Sequence, residues 1–230
     1  PWVDMLKVKA SIGSQGNDNI ADYLYTDMYG ISNADGEIGV SRGSIGNPDI
    51  TWETTTTYNV GVDFGFCDDR ITGNVDAYLR NTTDLLNNVI TPMGANFGNQ
   101  ILTNIGSMQN KGIEFSLNVV PVQTKDWHLS IGFNGTFQDT KITKLNTSDD
   151  PRYKEMVVGI SKGTGSQLSF HKVGYAPYTY YPYQQVYDAA GKPIQNAFVD
   201  RDGDGEITEL DRYESGKSPI PGFYYGLNLK

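Results

Sequence analysis

The sequence holds very little cysteine: Cys67 stands alone among 230 residues, so no internal disulfide staples the fold. The expectation for a lone thiol in such a chain is a structural one, buried or turned to lipid. No run of about 18 or more apolar residues occurs, which excludes a membrane-spanning helix but leaves strands free to cross. Positive charge is also short. Lys and Arg number 18 against 27 Asp and Glu, a net charge of −9, and no basic patch stands out, which argues against a nucleic-acid partner. Histidine is confined to His128 and His171, too far apart in sequence to form a paired motif, and no Walker loop, dinucleotide fingerprint or metal-hydrolase signature is present.

What the chain does have is glycine, at 26 residues, and tyrosine, at 15, a composition that suits many turns and half-buried strands. It fits a membrane barrel with aromatic girdles and equally a secreted β-sandwich. The chain opens at Pro1 without methionine or signal peptide and closes at Leu229-Lys230 within an alternating pattern. The expectation from this is an internal piece of a longer polypeptide.

Six segments alternate with period two and predict strands with two unlike faces. Leu6, Val8, Ala10 and Ile12 form the first apolar row. Trp52, Tyr58, Val60, Val62, Phe64 and Phe66 form the second, with Thr55, Thr57, Asn59 and Asp63 on its other face. Ile71, Val75, Ala77 and Leu79 oppose Thr72, Asn74, Asp76 and Arg80. The fourth carries Ile113, Phe115, Leu117 and Val119, and the fifth Trp127, Leu129, Ile131, Phe133 and Phe137, with His128 on the polar side. The sixth is Phe223, Tyr225, Leu227 and Leu229.

The connections sort by length. Cys67-Asp68-Asp69 and the link from Pro121 to Asp126 are tight, whereas 14–50, 81–110 and 139–221 are long, and short alternates with long along the chain. In an up-and-down sheet this places all long loops at one end, as in outer-membrane barrels with short periplasmic turns and long extracellular loops. A soluble sandwich has no reason to sort its loops so. The fold class expected is therefore all-β, an antiparallel up-and-down transmembrane β-barrel segment of about six strands from a larger barrel. Its apolar faces would meet outer-membrane lipid, and its polar faces a lumen that is wet or filled by a plug.

The stretch Asn47-Pro48-Asp49-Ile50-Thr51-Trp52-Glu53 through Phe64 resembles a segment of the SusC/RagA family of TonB-dependent outer-membrane transporters. Arg70 to Tyr78, Thr82-Thr83-Asp84-Leu85-Leu86 and Asn104-Ile105-Gly106-Ser107-Met108-Gln109-Asn110-Lys111-Gly112-Ile113-Glu114-Phe115 resemble further blocks of that family, in the expected order. The resemblance implies a twenty-two-stranded barrel around an N-terminal plug, of which residues 1–230 would be part of the wall. It also implies import of glycan oligosaccharides or peptides at the Gram-negative cell outer membrane, energy from the TonB complex through a plug that this chain lacks, and a SusD-like surface lipoprotein as partner. No enzymatic activity is implied.

One motif carries site chemistry. Asp200-Arg201-Asp202-Gly203-Asp204-Gly205-Glu206-Ile207-Thr208-Glu209-Leu210-Asp211 has the spacing of an EF-hand-like or dockerin-like loop at 200–211, inside the long loop 139–221. Ca2+, a hard cation, takes six to eight oxygens. Asp200, Asp202 and Asp204 would supply carboxylates, Glu206 a backbone carbonyl, Thr208 a water-mediated contact and Asp211 the closing carboxylate, where an EF-hand has Glu. A solvated acidic turn is the plain alternative. Tyr178, Tyr180, Tyr181 and Tyr183 form the other candidate, a surface for ligand contact by ring stacking, or simply a loop that packs on itself. The rival to the whole reading is a secreted, calcium-stabilised carbohydrate-binding β-sandwich or adhesin module, in which Ile131 and Phe133 would be buried under a facing sheet. A β-rich glycoside hydrolase is more remote, because nothing pairs Asp63, Asp76 or Glu114 across a cleft.

Overall fold

A computed structural model describes residues 2–34, 36–90, 100–145, 155–158 and 167–230. Its frame is one six-stranded antiparallel sheet in the order β1-β4-β5-β6-β7-β13. The strands are β1 (Val3–Asn17), β4 (Glu53–Phe66), β5 (Ile71–Ile90), β6 (Gln100–Gln123), β7 (His128–Lys144) and β13 (Phe223–Leu229). Each of the six alternating segments lies in one of them, apart from Trp52 and Trp127, which stand one residue ahead of β4 and β7. Sequence neighbours pair in space, so the wall is an up-and-down meander.

Register fixes the faces. Val8, Val62, Val75, Phe115, Gly135 and Phe223 lie on one side, and Lys9, Gly61, Asp76, Glu114, Thr136 and Tyr224 on the other. Among the described residues no second sheet covers the apolar side, where Val8, Ile12 and Leu227 are about 70% exposed (72%, 69% and 71%). Ile131 is 37% exposed, and Phe133 is shielded by its own neighbours Phe115 and Tyr225, with ring centroids at 5.5 and 6.1 Å. A facing layer of protein is what a sandwich requires, and among the described residues this face has none.

The apolar band has a definite height. On β4 it runs from Tyr58 to Phe66 and on β5 from Ile71 to Leu79, nine residues in each case, close to the 9–11 that a tilted strand needs to cross a bilayer. Aromatic rings gather at both ends. Trp2, Phe64 and Phe66 stack near the short turns, with centroids 5.4 to 5.5 Å apart, and Phe137 lies on Phe223 at 4.3 Å nearer the loops.

All three long connections are shorter than expected. The segment 81–110 is not a loop for most of its length: β5 continues to Ile90 and β6 begins at Gln100. Likewise β1 and β7 run on to Asn17 and Lys144. Above the apolar band both faces of a strand meet water, so the hydrophobic period vanishes while the backbone ladder continues. The remaining link 91–99, like 146–154 and 159–166, lies outside the described residues. Cys67 also departs from its expected burial. It sits exposed in the β4–β5 turn, where Cys67, Asp68 and Asp69 all take positive φ, 59°, 55° and 57°.

The long connections carry small structures of their own. β2 (Met28–Ala34) and β3 (Glu37–Ser44) form a hairpin between β1 and β4. Between β7 and β13, β8 (Glu155–Val158), β9 (Ser169–Lys172) and β10 (Thr179–Tyr180) make one small sheet, and β11 (Gln185–Tyr187) with β12 (Pro193–Phe198) another.

Candidate functional site

Three parts of the structure bear on function: the polar face of the wall, the rim above it and the body of the long loop. On the polar face Lys9 reaches across Gly61 to join Asp63 at 2.7 Å and Asp76 at 3.0 Å. Asn74 donates to Asp76 at 2.6 Å, and Ser116 donates to Asn74, so one polar chain spans β1 to β6. The missing side chain at Gly61 is what lets the bridge pass, because a Cβ there would lie 2.8 Å from both Lys9 Cε and Asp76 Cγ. Polar alternation places these residues on one face; only the register shows that they meet. Arg80 lies over the Tyr78 ring at 4.5 Å on the same face, and His128 also falls there.

At the rim the sequence blocks that resemble one family converge. Asn104 donates from its amide to the carbonyls of Thr51 at 2.8 Å and Asp84 at 2.7 Å, and accepts from Thr51 N–H at 2.9 Å. Asp84 takes positive φ at a bulge in β5, which turns its carbonyl to this use. Asn47, itself buried, donates to the Leu102 carbonyl at 3.0 Å. Glu53 accepts from Leu86 N–H at 3.2 Å and from the Asn17 amide at 3.0 Å. These bonds lock the base of the β2–β3 hairpin to the β5–β6 extension. Nothing in spacing alone reveals this node.

The long-loop body packs around Phe170, which is 2% exposed and meets Tyr175 and Tyr181 edge-on at 5.5 and 5.4 Å. Tyr183 is half-buried between Phe198 and the Arg212 guanidinium. Tyr181 and Tyr183 are thus spent on packing, while Tyr178 and Tyr180 stay exposed, at 42% and 39%. Tyr178 stands against His171 at 4.7 Å, and burial holds the His171 imidazole below its ordinary pKa.

The loop 200–211 brings some of its expected ligands together and not others. Carboxylate oxygens of Asp200, Asp202 and Asp204 lie within 4.8 Å of one another. Gly203 and Gly205, both at positive φ, donate their N–H groups to the Asp200 carboxylate at 2.6 and 2.9 Å, which shapes the turn. Partial desolvation, followed by repulsion from Asp204, Asp211 and Asp200, raises the Asp202 pKa. Asp211 is fully buried and outside that trio. Its carboxylate accepts from Thr208 N–H at 2.7 Å and Arg201 N–H at 2.6 Å, and these bonds lower its pKa. Thr208 caps the short 3-10 turn Glu209–Asp211, and Glu206 is exposed with its N–H donated to Asp204. Arg201 and Arg212, which the sequence did not single out, clamp the loop by bonding to Gln184 and to the Gln167 carbonyl.

A pH effect follows from Glu214. Lys172 and Tyr175 donate to its carboxylate, Tyr175 at 2.5 Å, and these hydrogen bonds hold its pKa below the usual value. A depressed folded-state pKa means the stabilisation is complete above the ordinary glutamate pKa and is lost as pH falls through the lower folded value. Because the pair is about one-third exposed, Glu214→Gln is expected to cost under about 1 kcal/mol at neutral pH. The same change should flatten the acid limb of loop melting, followed by tyrosine fluorescence from pH 7 to 3.

Comparison with known proteins agrees with the geometry. The family described as "TonB dependent receptor-like, beta-barrel" matches residues 2–224. The chain belongs to that family. It is 44% identical to TonB-dependent receptor SusC of Bacteroides thetaiotaomicron over 98% of its own length and 23% of that protein's. It is 29% identical to TonB-dependent receptor P3 of Formosa agariphila, over 96% of this chain and 24% of that one. Among solved structures, that of the RagAB peptide transporter superposes with a TM-score of 0.80 at 24% identity, covering 99% of this chain and 25% of that chain. A RagAB peptide importer in the "open-open" state gives 0.77. The chain therefore spans about a quarter of the length of these relatives. TonB-dependent receptors of this family are outer-membrane proteins of Gram-negative bacteria, and they are receptors and transporters, not enzymes.

Proposed function

We propose that this chain forms a sector of the barrel wall of an outer-membrane importer, which takes up oligosaccharide or peptide nutrients with energy from the TonB complex. The observation that carries the reading is the wall itself: a lipid-height apolar face left uncovered on one side and a connected polar face on the other. The 44% identity to SusC over nearly the whole chain supports the importer role. The solved neighbours described as RagAB peptide transporters support a nutrient cargo. By the family resemblance, the plug and the TonB-contacting segment belong to the part of such proteins that this chain does not span. A SusD-like surface lipoprotein is the partner the resemblance implies, and the exposed apolar residues Ile31, Ile38 and Val40 on the β2–β3 hairpin offer surface on the loop side. The test is to delete the full-length gene and measure growth on a panel of oligosaccharides and peptides. Loss of growth on one of them, restored by the intact gene only in cells with TonB, supports the reading; growth unchanged on all of them contradicts it.

Calcium is part of the same proposal. Three carboxylates drawn together, with one of them at a raised pKa, form a repulsive cluster that a divalent cation would relieve. Asp200, Asp202 and Asp204 would hold the ion, with the Glu206 carbonyl, a water on Thr208 and a turned Asp211 completing the oxygen set. The ion would stiffen the loop body through Arg201 and Arg212. Calcium is expected to raise the melting temperature of the loop in the full-length protein by several degrees, with the gain abolished in Asp202→Asn and Asp204→Asn. An unchanged melting temperature with and without chelator would leave the loop as an acidic turn.

A further inference from the structure

The outward-facing wall changes character at the loop-side edge of the apolar band. Followed in register, the last apolar row, Ile12, Tyr58 and Leu79, continues on β6 and β7 as Lys111 and Asp139, one outward position past Ile113 and Phe137; the next row, Ser14, Thr56 and Asn81, continues as Gln109 and Lys141. On β1, β4 and β5 this belt is uncharged and bonds to itself or its neighbour, Ser14 with Thr56 and Asn81 with Gln109. On β6 and β7 the charges Lys111, Asp139 and Lys141 stand in these two rows. Lys111 and Lys141 both face the same Asp139 oxygen, at 3.8 and 3.3 Å, so their ammonium groups can be no more than about 7 Å apart.

We propose that Lys111 and Lys141 form a binding site for a phosphate group of lipopolysaccharide in the outer leaflet. The inference rests on the barrel-wall reading above and adds a ligand to it. One carboxylate cannot neutralise two ammonium groups, so the pair keeps a net positive charge in a chain that is otherwise acidic. All three side chains are about half exposed, 57%, 50% and 47%, so the cluster is open to a ligand. A phosphate has several anionic oxygens and can accept from both lysines at once. Height selects the source of that phosphate. The cluster lies directly above Ile113 and Phe137, where acyl chains give way to headgroups, and lysine stems can lie along the wall while their ammonium groups reach the polar layer. Asp139 then acts as a competing anion that holds the two lysines in place until a headgroup arrives.

The experiment uses the full-length importer purified from outer membranes in mild detergent, with retained lipopolysaccharide measured by native mass spectrometry and by add-back titration. Lys111→Gln with Lys141→Gln is expected to lower apparent affinity for lipopolysaccharide roughly tenfold. Asp139→Asn should retain more lipid than the parent, whereas a merely structural ion pair would show loss of thermal stability and no gain in lipid. Lys7→Gln, which removes a lysine from the lumen face, should change nothing. Equal retention by the double variant overturns the proposal. So does equal binding of dephosphorylated lipopolysaccharide, or displacement by millimolar inorganic phosphate, which would mark a free-anion site. Failure of the parent itself to fractionate with outer membranes would overturn the wall reading instead, which keeps the two failures apart.

Discussion

Val62→Arg should cost the barrel about 2–4 kcal/mol of folding free energy in lipid, whereas Ile12→Arg should cost about 0–1 kcal/mol. Both residues point outward, but at different depths. Val62 pairs with Val8 and Val75 at the centre of the band that β4 carries from Tyr58 to Phe66. Ile12 pairs with Tyr58 at its loop-side edge, where a guanidinium can reach headgroups and water. In a water-soluble sheet the two changes would differ little, and neither would depend on the bilayer. Urea titration of the full-length protein refolded into lipid vesicles, read by heat-modifiable migration on a gel, gives both values. Equal costs at the two sites would remove the membrane from the account.

Gly112→Val is the second large effect. Gly112 opposes Tyr78 on β5 and Gln138 on β7, and the Tyr78 ring occupies the space above it. A Cβ would lie 2.5 Å from the Phe137 carbonyl oxygen and 2.6 and 2.7 Å from Tyr78 Oη and Cζ. Backbone on one side leaves no room to yield, and moving Tyr78 would strip Arg80 of the ring it lies on. Overpacking of this kind costs about 1–3 kcal/mol, and contact with backbone puts this site at or above the upper end. The expected readout is a smaller folded fraction in outer membranes and a lower urea midpoint. Tyr78→Ala should rescue part of the loss if the ring is the obstacle; no rescue would leave the Phe137 carbonyl as the cause.

Gly112 also shows how much of the structure the sequence carried. The block Asn110-Lys111-Gly112 was legible as a family resemblance, but not why each residue is there. Asn110 bonds inward to Thr140 at 2.5 Å, Lys111 faces outward to Asp139, and Gly112 makes room for Tyr78. The six strands and their faces were readable because lipid and lumen impose opposite polarity on alternate residues. That signal stops at the rim. The upper halves of β5 and β6 read as loop in the sequence, since water on both sides leaves it no polarity to alternate. The Lys9–Asp63–Asp76 chain and the Asn47–Asn104–Glu53 node depend on cross-strand register, which a sequence without an alignment does not specify. In the loop 200–211 the spacing correctly marked Asp200, Asp202 and Asp204 as neighbours. It did not show Asp211 bonded to the backbone of Arg201 and Thr208.

The central claim is that one face of this sheet touches lipid. The most direct measurement is accessibility of spin labels placed singly at positions 58 to 66 of β4 in the full-length protein in vesicles, with Cys67 replaced by serine. The account predicts a period of two, with oxygen dissolved in the bilayer relaxing labels at 60, 62 and 64 while a water-soluble nickel complex does not. If labels at those three positions were reached by the nickel complex, or shielded from both reagents by covering protein, the apolar face would not be a lipid face and the barrel-wall account would fall.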